Sequence, residues 1–328
     1  MNAQPALKQS NEREKLAGLA LEWDNLTIGQ WKELLASTPR SNLLLSWPVA
    51  LATYETKRQR PHFGVFYQGQ KPVALVVVHH WKFTVFEKVH ISRGPLWLID
   101  PTDEMKAAAL KAIKSSWPSK PLRHINFMPE LPNTDNARRL MGQAGFRPRP
   151  GSPYRSLWLD MTPPADEMEK NLKKGWKSGL RKSRKNKLKY TADYTRPGFR
   201  LFLRGYKRDK SLKKYRGPSV LFLINLRKHA RREDVLMLEA WHEGQLVAGQ
   251  FFVRHGQAAT YLVGWTTPAG RDVAAHNGLL FDAALPALKK RGITTLDLGG
   301  LSKNNHALNH FKKGLGGEVY ELAGQWRG

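Results

Sequence analysis

The residues best suited to chemistry lie in the last third of the chain. A predicted strand ends in Asp297-Leu298-Gly299-Gly300, and a predicted helix then presents Phe311 and Lys312. Taken alone, the glycines indicate only a sharp turn, and a lysine on a helix is usually a surface residue. His276, at the start of another predicted helix, is a candidate base near pH 7, although a histidine in such a place more often caps the helix or packs against it.

Composition excludes several classes of site. The chain of 328 residues has no cysteine, which excludes disulfides, thiolate nucleophiles, iron–sulfur clusters and cysteine-based zinc sites. The eleven histidines form no cluster with ligand spacing, since His79 and His80 are adjacent on a predicted strand and so face opposite sides. We therefore expect neither a metal nor a cofactor.

Positive charge is concentrated in the middle of the chain. There are 54 Lys and Arg residues against 27 Asp and Glu, and residues 151–232 contain 24 of the basic and only six of the acidic ones. Such a segment attracts polyanions, so RNA phosphates, an anionic membrane surface and a pyrophosphate-bearing substrate are all candidate partners. The residues predicted to bind nucleic acid are Lys177, Arg181, Lys182, Arg184 and Lys185.

The elements that must position these residues follow the same order twice. A helix, a hairpin, a helix, a strand and a further helix are predicted in each half, with the basic helix spanning residues 176–188. Pro148, Pro150 and Gly151 interrupt periodic structure between the halves. This pattern predicts two related α/β domains, residues 1–152 and 153–328.

These motifs together resemble the signature of the Fem-type aminoacyl transferases, which are aminoacyl-tRNA-dependent peptidyltransferases. That family pairs a strand ending Asp-hydrophobic-Gly-Gly with a helix bearing Phe-Lys, as at Asp297 and Phe311-Lys312. Ser92-Arg93-Gly94-Pro95 is similar to its Arg/Lys-Gly-Pro turn, and Gly145-Phe146 matches its Gly-Phe. The resemblance implies two tandem GNAT-like domains of α/β (α+β) class, each a mixed, mostly antiparallel sheet flanked by helices. It also implies that the C-terminal residues 318–328 return to the first domain.

The resemblance further implies an enzyme that moves an amino acid from aminoacyl-tRNA to an amine of a peptidoglycan precursor or a similar acceptor, which is lipid-linked in some cases. Lys312 would lie near the ester carbonyl, and Phe311 would pack against the terminal adenosine or shape the wall of the site. Plain core packing is the alternative for Phe311. Arg216 falls where the family binds the precursor's diphosphate, and His276 is a second candidate for substrate binding.

Departures from the family pattern leave the acceptor open. Met128 replaces an acid that some members have, and Val49, Ala50 and Leu51 stand where a lysine contacts the diphosphate. Two other functions therefore remain as alternatives. A CoA-dependent N-acyltransferase is disfavoured because the segment from Arg271 to His276 lacks the glycines of a pyrophosphate loop. A non-catalytic RNA-binding module is disfavoured because no known nucleic-acid-reading motif is present.

The sequence also predicts where the chain acts. Its first twenty residues are polar and mixed in charge, so no signal peptide is expected. The longest uninterrupted apolar run is 73–78, far shorter than the roughly 20 residues of a membrane helix. We expect a cytoplasmic protein with peripheral contact at the inner face of the plasma membrane.

Overall fold

Two β-sheets flanked by helices make up the computed structural model, which describes residues 18–328. The N-terminal segment used for the localisation prediction lies, up to residue 17, outside the described residues. The strands are β1 (Leu19–Trp23), β2 (Arg60–Gln68), β3 (Lys71–Phe83), β4 (Phe86–Gly94), β5 (Leu96–Trp97), β6 (Arg123–Pro129), β7 (Arg147–Pro148), β8 (Arg155–Asp160), β9 (Lys189–Thr191), β10 (Val235–His242), β11 (Gln245–His255), β12 (Ala258–Thr266), β13 (Thr295–Asp297), β14 (Glu318–Glu321) and β15 (Trp326–Arg327).

Hydroxyl side chains cap several of the helices, so local sequence determines where these begin. Thr27 forms a capping box with Gln30, and Thr102, Thr134 and Ser219 each accept a hydrogen bond from a first-turn amide. The helices are α1 (Ile28–Ala36), α2 (Trp47–Lys57), α3 (Asp103–Ser116), α4 (Asp135–Gln143), α5 (Ala165–Lys170), α6 (Lys174–Lys185), α7 (Arg196–Lys213), α8 (Val220–His229), α9 (Pro268–Asp272), α10 (Ala275–Gly278), α11 (Leu285–Lys289) and α12 (His306–Lys313). A π-helical segment, Leu279–Ala284, joins α10 to α11, and short 3-10 helices span Leu43–Leu45 and Arg232–Asp234.

The two sheets have the same kind of topology. The first sheet has the order β1-β2-β3-β4-β6-β15-β7, with β5 beside β3, and the second has the order β14-β8-β13-β12-β11-β10-β9. Among the described strands, β4 and β6 run parallel in the first sheet, β12 and β13 run parallel in the second, and the other pairs are antiparallel. Two mixed, mostly antiparallel sheets flanked by helices confirm the predicted fold class.

Hydrophobic side chains fill both faces of each sheet. In the first sheet, α3 and α4 cover one face and Trp31 of α1 lies buried against the other. In the second sheet, α6 and the π-helical segment cover one face, while α7 and α8 cover the other. Val49 and Ala52 of α2 belong to this last cluster, so the N-terminal half of the chain contributes to the core of the second sheet.

The C-terminal segment connects the two sheets. Strand β14 pairs with β8 in the second sheet, and Leu322 then bridges to Pro132. Trp326 and Arg327 lie between β6 and β7 of the first sheet. Within the segment 318–328, the first four residues thus stay in the second sheet and only the last few enter the first.

The basic helix begins and ends earlier in the chain than the sequence predicts. Helix α6 begins at Lys174 and ends at Lys185, whereas the sequence predicts residues 176–188. It ends early because Lys187 adopts a left-handed backbone with φ of 47°, after which the chain becomes strand β9.

Candidate active site

Asp297 is the buried centre of the Asp-Leu-Gly-Gly motif. Its carboxylate accepts hydrogen bonds from the Ser156 hydroxyl, from the Gly299 amide at 2.8 Å and from the Tyr320 hydroxyl at 3.1 Å. Gly299 has φ of 74°, a conformation that favours glycine, so the turn after β13 depends on this residue. Asp297 therefore fixes the backbone of the glycine turn that Lys312 contacts.

Lys312 is held against this glycine turn. Its side chain comes from α12, is 5% exposed, and donates from Nζ to the carbonyls of Gly299 at 2.9 Å and Gly300 at 2.8 Å. Burial lowers the pKa of Lys312 to about 8, although the carboxylate of Asp297 acts in the opposite direction. An ammonium group has three N–H donors, so two are committed to carbonyls and one remains for a further acceptor.

Phe311 lies between an indole and an imidazole. Its half-buried ring is 5.3 Å from the ring of Trp176 on α6 and 5.7 Å from the ring of His276, which meets it edge-on at 90°. The indole Nε1 of Trp176 donates to the Phe311 carbonyl at 2.7 Å. The structure thus brings together Phe311, Lys312 and His276, three of the residues predicted from sequence, and adds Trp176.

His276 is neutral at pH 7 in this environment. Its Nε2 lies 3.0 Å from the hydroxyl of Tyr261, and its buried Nδ1 has no hydrogen-bond partner among residues 18–328. Burial, together with repulsion from Lys213, lowers the pKa of His276 to about 4. The imidazole is therefore suited to hydrogen bonding and ring packing. The sequence suggested a base near pH 7, but a pKa this low does not suit proton exchange at neutral pH.

A buried ionic cluster next to Asp297 was missed by sequence reasoning. Arg93 donates from Nε and Nη2 to the two carboxylate oxygens of Glu130 at 2.7 and 2.6 Å, and from Nη1 to the Tyr320 hydroxyl at 2.8 Å. Nη1 also lies 3.5 Å from Asp297. Burial alone lowers the pKa of Arg93, but the carboxylate of Glu130 outweighs it and raises that pKa well above its usual value.

This Arg93 cluster (Arg93, Glu130, Asp297 and Tyr320) joins the two sheets. Arg93 is at the end of β4 and Glu130 directly follows β6 in the first sheet, whereas Asp297 and Tyr320 belong to β13 and β14 of the second. The sequence analysis singled out the segments around Arg93 and Asp297 as separate motifs. Nothing in their spacing indicated that they meet.

The basic helix α6 presents an exposed cationic face. Trp176, Leu180 and Ser183 are buried beneath it, while Arg181, Lys182 and Lys185 are exposed, and Lys177 is half-buried with Nζ donating to the Lys170 carbonyl at 2.7 Å. Arg184 differs, because its guanidinium is ion-paired with Asp282 at 2.8 Å and with Glu169 at 2.9 Å. Hydrogen bonds to Asp282 and Glu169 raise the pKa of Arg184, so its charge is already compensated.

Arg216 makes no hydrogen bond or ion pair with the described residues around Lys312. It lies exposed in the loop between α7 and α8, directly before Gly217 and Pro218. Within the described part of the chain, no hydrogen bond or ion pair holds its guanidinium. The side chain is therefore available to an anionic ligand from outside.

Comparisons with known proteins agree with this fold. Residues 170–313 match the family model described as an acetyltransferase (GNAT) domain. The crystal structure of FemX aligns with 93% of this chain and 96% of its own, at 15% identity and a TM-score of 0.79. The fold is Fem-type and GNAT-like. No curated protein sequence matches the chain.

Two further solved structures share the Fem-type, GNAT-like fold. A tandem GNAT protein from the clavulanic acid biosynthesis pathway covers 94% of this chain and 98% of its own, at 13% identity and a TM-score of 0.51. The C-terminal domain of a putative lysylphosphatidylglycerol synthetase from Agrobacterium fabrum covers 92% and 90%, at 9% identity and a TM-score of 0.53. At these identities the similarity establishes the fold alone.

Across residues 18–328, no group of three or more His, Asp or Glu side chains is placed to hold a metal ion. Over the same residues, none of the helices combines the length and the apolar character that crossing a lipid bilayer requires.

Proposed function

We propose that this chain is an aminoacyltransferase that moves an amino acid from aminoacyl-tRNA to an amine of a peptidoglycan precursor or a similar acceptor. The observation that supports this most directly is the contact between the basic helix and the Phe-Lys helix. Trp176 of α6 donates to the Phe311 carbonyl at 2.7 Å, and Lys312 is the next residue. An RNA whose phosphates lie on the exposed face of α6 would therefore have its end close to Lys312.

The chemistry proposed for this site needs no cofactor. An aminoacyl ester is already activated, so the enzyme must position the acceptor amine and stabilise the oxyanion that forms when the amine nitrogen attacks the ester carbonyl. The bond from that carbon to the ribose oxygen then breaks, and the amine's proton is transferred to the departing oxygen or to water. Below pH 8, Lys312 would be charged, and its remaining N–H would donate to the oxyanion.

Phe311 and His276 would act on the donor through packing. The exposed part of the Phe311 ring would stack on the terminal adenine, since unpaired bases commonly stack on aromatic side chains. His276 meets that ring edge-on and would hold its orientation. Helix α6 would bind tRNA phosphates through Lys177, Arg181, Lys182 and Lys185, with Arg184 chiefly anchoring the helix.

Arg216 would bind the acceptor. Its exposed guanidinium suits bidentate contact with a diphosphate. Val49 and Ala50, which stand where the family has a lysine, are buried in the core, so Arg216 would act without that partner. A lipid-linked acceptor would place the protein in the cytoplasm at the inner face of the plasma membrane.

The division into domains 1–152 and 153–328 belongs to the same proposal, since β7 ends at Pro148 and β8 begins at Arg155.

The donor can be identified by direct competition. Purified protein is incubated with charged total tRNA or with acetyl-CoA, each with a nucleotide-linked peptidoglycan pentapeptide, and the consumption of each donor is followed. We expect aminoacyl-tRNA to be consumed. Consumption of acetyl-CoA instead would identify an N-acyltransferase, and tRNA binding with no consumption of either donor would identify an RNA-binding module.

Lys312→Met tests the residue that this proposal makes catalytic. We expect transfer to fall by at least about a hundredfold, as is common when an oxyanion donor is lost, with tRNA affinity unchanged. Lys313→Met is the matched control, because Lys313 is adjacent and exposed, and it should retain full activity. Thermal melting of both variants checks folding, since Lys312 is buried. Normal turnover by a folded Lys312→Met protein would refute the role.

A further inference from the structure

The hairpin between β3 and β4 ends in large apolar side chains that face solvent. Phe83 is 63% exposed and Val85 is 64% exposed, and Phe86 is exposed as well. Phe83 and Phe86 pair directly across the hairpin, and Thr84 between them adopts a left-handed backbone with φ of 50°. Three such side chains at one protruding tip are unusual on the surface of a soluble domain and indicate an interaction site.

The apolar surface continues around this tip. Leu122 is exposed and neighbours the hairpin, because its carbonyl accepts a hydrogen bond from the Glu87 amide at 3.0 Å. Trp81, half-buried behind the tip, stacks on Phe83 with ring centroids 6.0 Å apart. A tryptophan set back from an apolar tip is typical of side chains at a membrane–water interface.

Positive charge surrounds these apolar residues. Lys82, Lys88 and Lys120 are exposed, and the Lys88 ammonium lies 5.5 Å from the centre of the Trp81 ring. Glu87, the acidic residue of the hairpin end, is covered and paired with the Arg123 guanidinium, whose Nε donates to it at 2.6 Å. Lys82 Nζ lies 3.8 Å from the same Glu87 carboxylate, which Arg123 already pairs, so the basic groups outnumber the acidic ones. The tip therefore presents apolar side chains at its end and a net positive charge behind them.

We propose that the β3–β4 hairpin docks the protein on an anionic lipid surface. Phe83, Val85 and Phe86 would enter the boundary between headgroups and acyl chains, while the lysines behind them meet lipid phosphates. An exposed apolar hairpin tip suits a fluid interface, which closes around it without needing a preformed groove. This inference deepens the proposed function, because a lipid-linked acceptor lies in a membrane, but its test needs no transfer activity.

Vesicle sedimentation measures the docking directly. The protein is mixed with vesicles of phosphatidylcholine alone, or with about 30% phosphatidylglycerol as the anionic lipid. We expect binding only to the anionic vesicles, and a fall of about tenfold or more in the partition coefficient when Phe83, Val85 and Phe86 are all changed to serine. Leu212→Ser is the matched control, because Leu212 is 73% exposed among lysines on α7. An equal loss in that control, or no loss in the triple variant, would overturn the proposal.

The absence of cysteine allows a second, independent readout. A single Val85→Cys variant, or Leu212→Cys as control, is labelled with an environment-sensitive dye. We expect the dye at position 85, but not at 212, to shift to the blue on anionic vesicles and to be quenched by brominated acyl chains. A dye at 85 that stays in water on bound protein would overturn the proposal, as would tip-dependent dimerisation without vesicles. Transfer to a water-soluble acceptor should be unchanged in the triple variant, so failure of docking and failure of the transfer assignment are distinguishable.

Discussion

Glu239 is a buried acid whose environment disfavours its charge. It lies on β10, is 2% exposed, and its Oε1 has no hydrogen-bond partner among the described residues. Burial, with repulsion from Asp193, raises the pKa of Glu239 to about 7, although a hydrogen bond from Thr191 lowers it. The site proposed for catalysis does not use this carboxyl group, so its effect is on stability.

Replacement of Glu239 by glutamine should stabilise the protein in a pH-dependent way. The folded state holds a proton that the unfolded chain releases near pH 4.5, so the free energy of unfolding of the native protein falls as pH rises from about 4.5 to 7. Glu239→Gln removes this pH-dependent loss of stability, so it should raise the free energy of unfolding by about 3 kcal/mol at pH 8 and by almost nothing at pH 4. Urea denaturation at both pH values measures the difference. Glu243→Gln, an exposed acid in the adjacent turn, should show neither effect, and a gain at pH 4 equal to that at pH 8 would contradict the interpretation.

At the scale of elements, α6 is positioned by close packing as well as by the Arg184 ion pairs. A Cβ on Gly179 would lie 2.9 Å from the Asn277 side chain, so the helix approaches α10 closely at that glycine. Gly314 likewise leaves room for the Trp176 indole, at 2.3 Å from the position a Cβ would take. This packing sets the cationic face outward and aligns Trp176 with Phe311.

Neutralising the exposed face of α6 should change how tRNA binding depends on salt. Each phosphate contact contributes about 0.7–0.9 to the slope of log affinity against log salt, so changing Arg181, Lys182 and Lys185 to glutamine should reduce the slope by about two. Arg184→Gln should leave the slope nearly unchanged and instead cost less than about 1 kcal/mol of stability, because its partly exposed ion pairs are screened. Fluorescence anisotropy at a series of salt concentrations tests both. An unchanged slope in the triple variant would mean that this face serves another partner.

Elements with a strong local pattern could be predicted, and those defined by distant partners could not. Strand β10 can be predicted from the sequence, because a turn at Glu243-Gly244 ends its apolar run at His242. Helix α2, in contrast, was not predicted, since its apolar residues show weak helical periodicity and it is stabilised by packing against α8. The same limit applies to the site. Phe311, Lys312 and His276 could be chosen from the sequence, whereas the Arg93 cluster depends on strand ends that only the fold brings together.

At the scale of the whole molecule, several features link the sheets. Helix α2 packs into the core of the second sheet, the Arg93 cluster joins strand ends of both, and β15 carries the end of the chain into the first sheet. Buried ion pairs contribute little net stability but are costly to break, because removing one partner leaves the other charge buried. The Arg93 cluster thus favours one relative placement of the sheets, with Asp297 and the Lys312 turn at their junction.

The stability of the first sheet should depend strongly on strand β15. Trp326 is buried against Phe127 and Phe146 in that core, so Trp326→Ala should cost about 3–5 kcal/mol. Because β15 lies between β6 and β7, hydrogen exchange by mass spectrometry should show faster exchange in those strands, while β10 and β11 in the second sheet keep their protection. Val319→Ala on the exposed side of β14 is the control and should change stability by less than about 0.5 kcal/mol. Equal loss of protection in both sheets would instead mean that the Arg93 cluster and α2 couple them into one unit that opens as a whole.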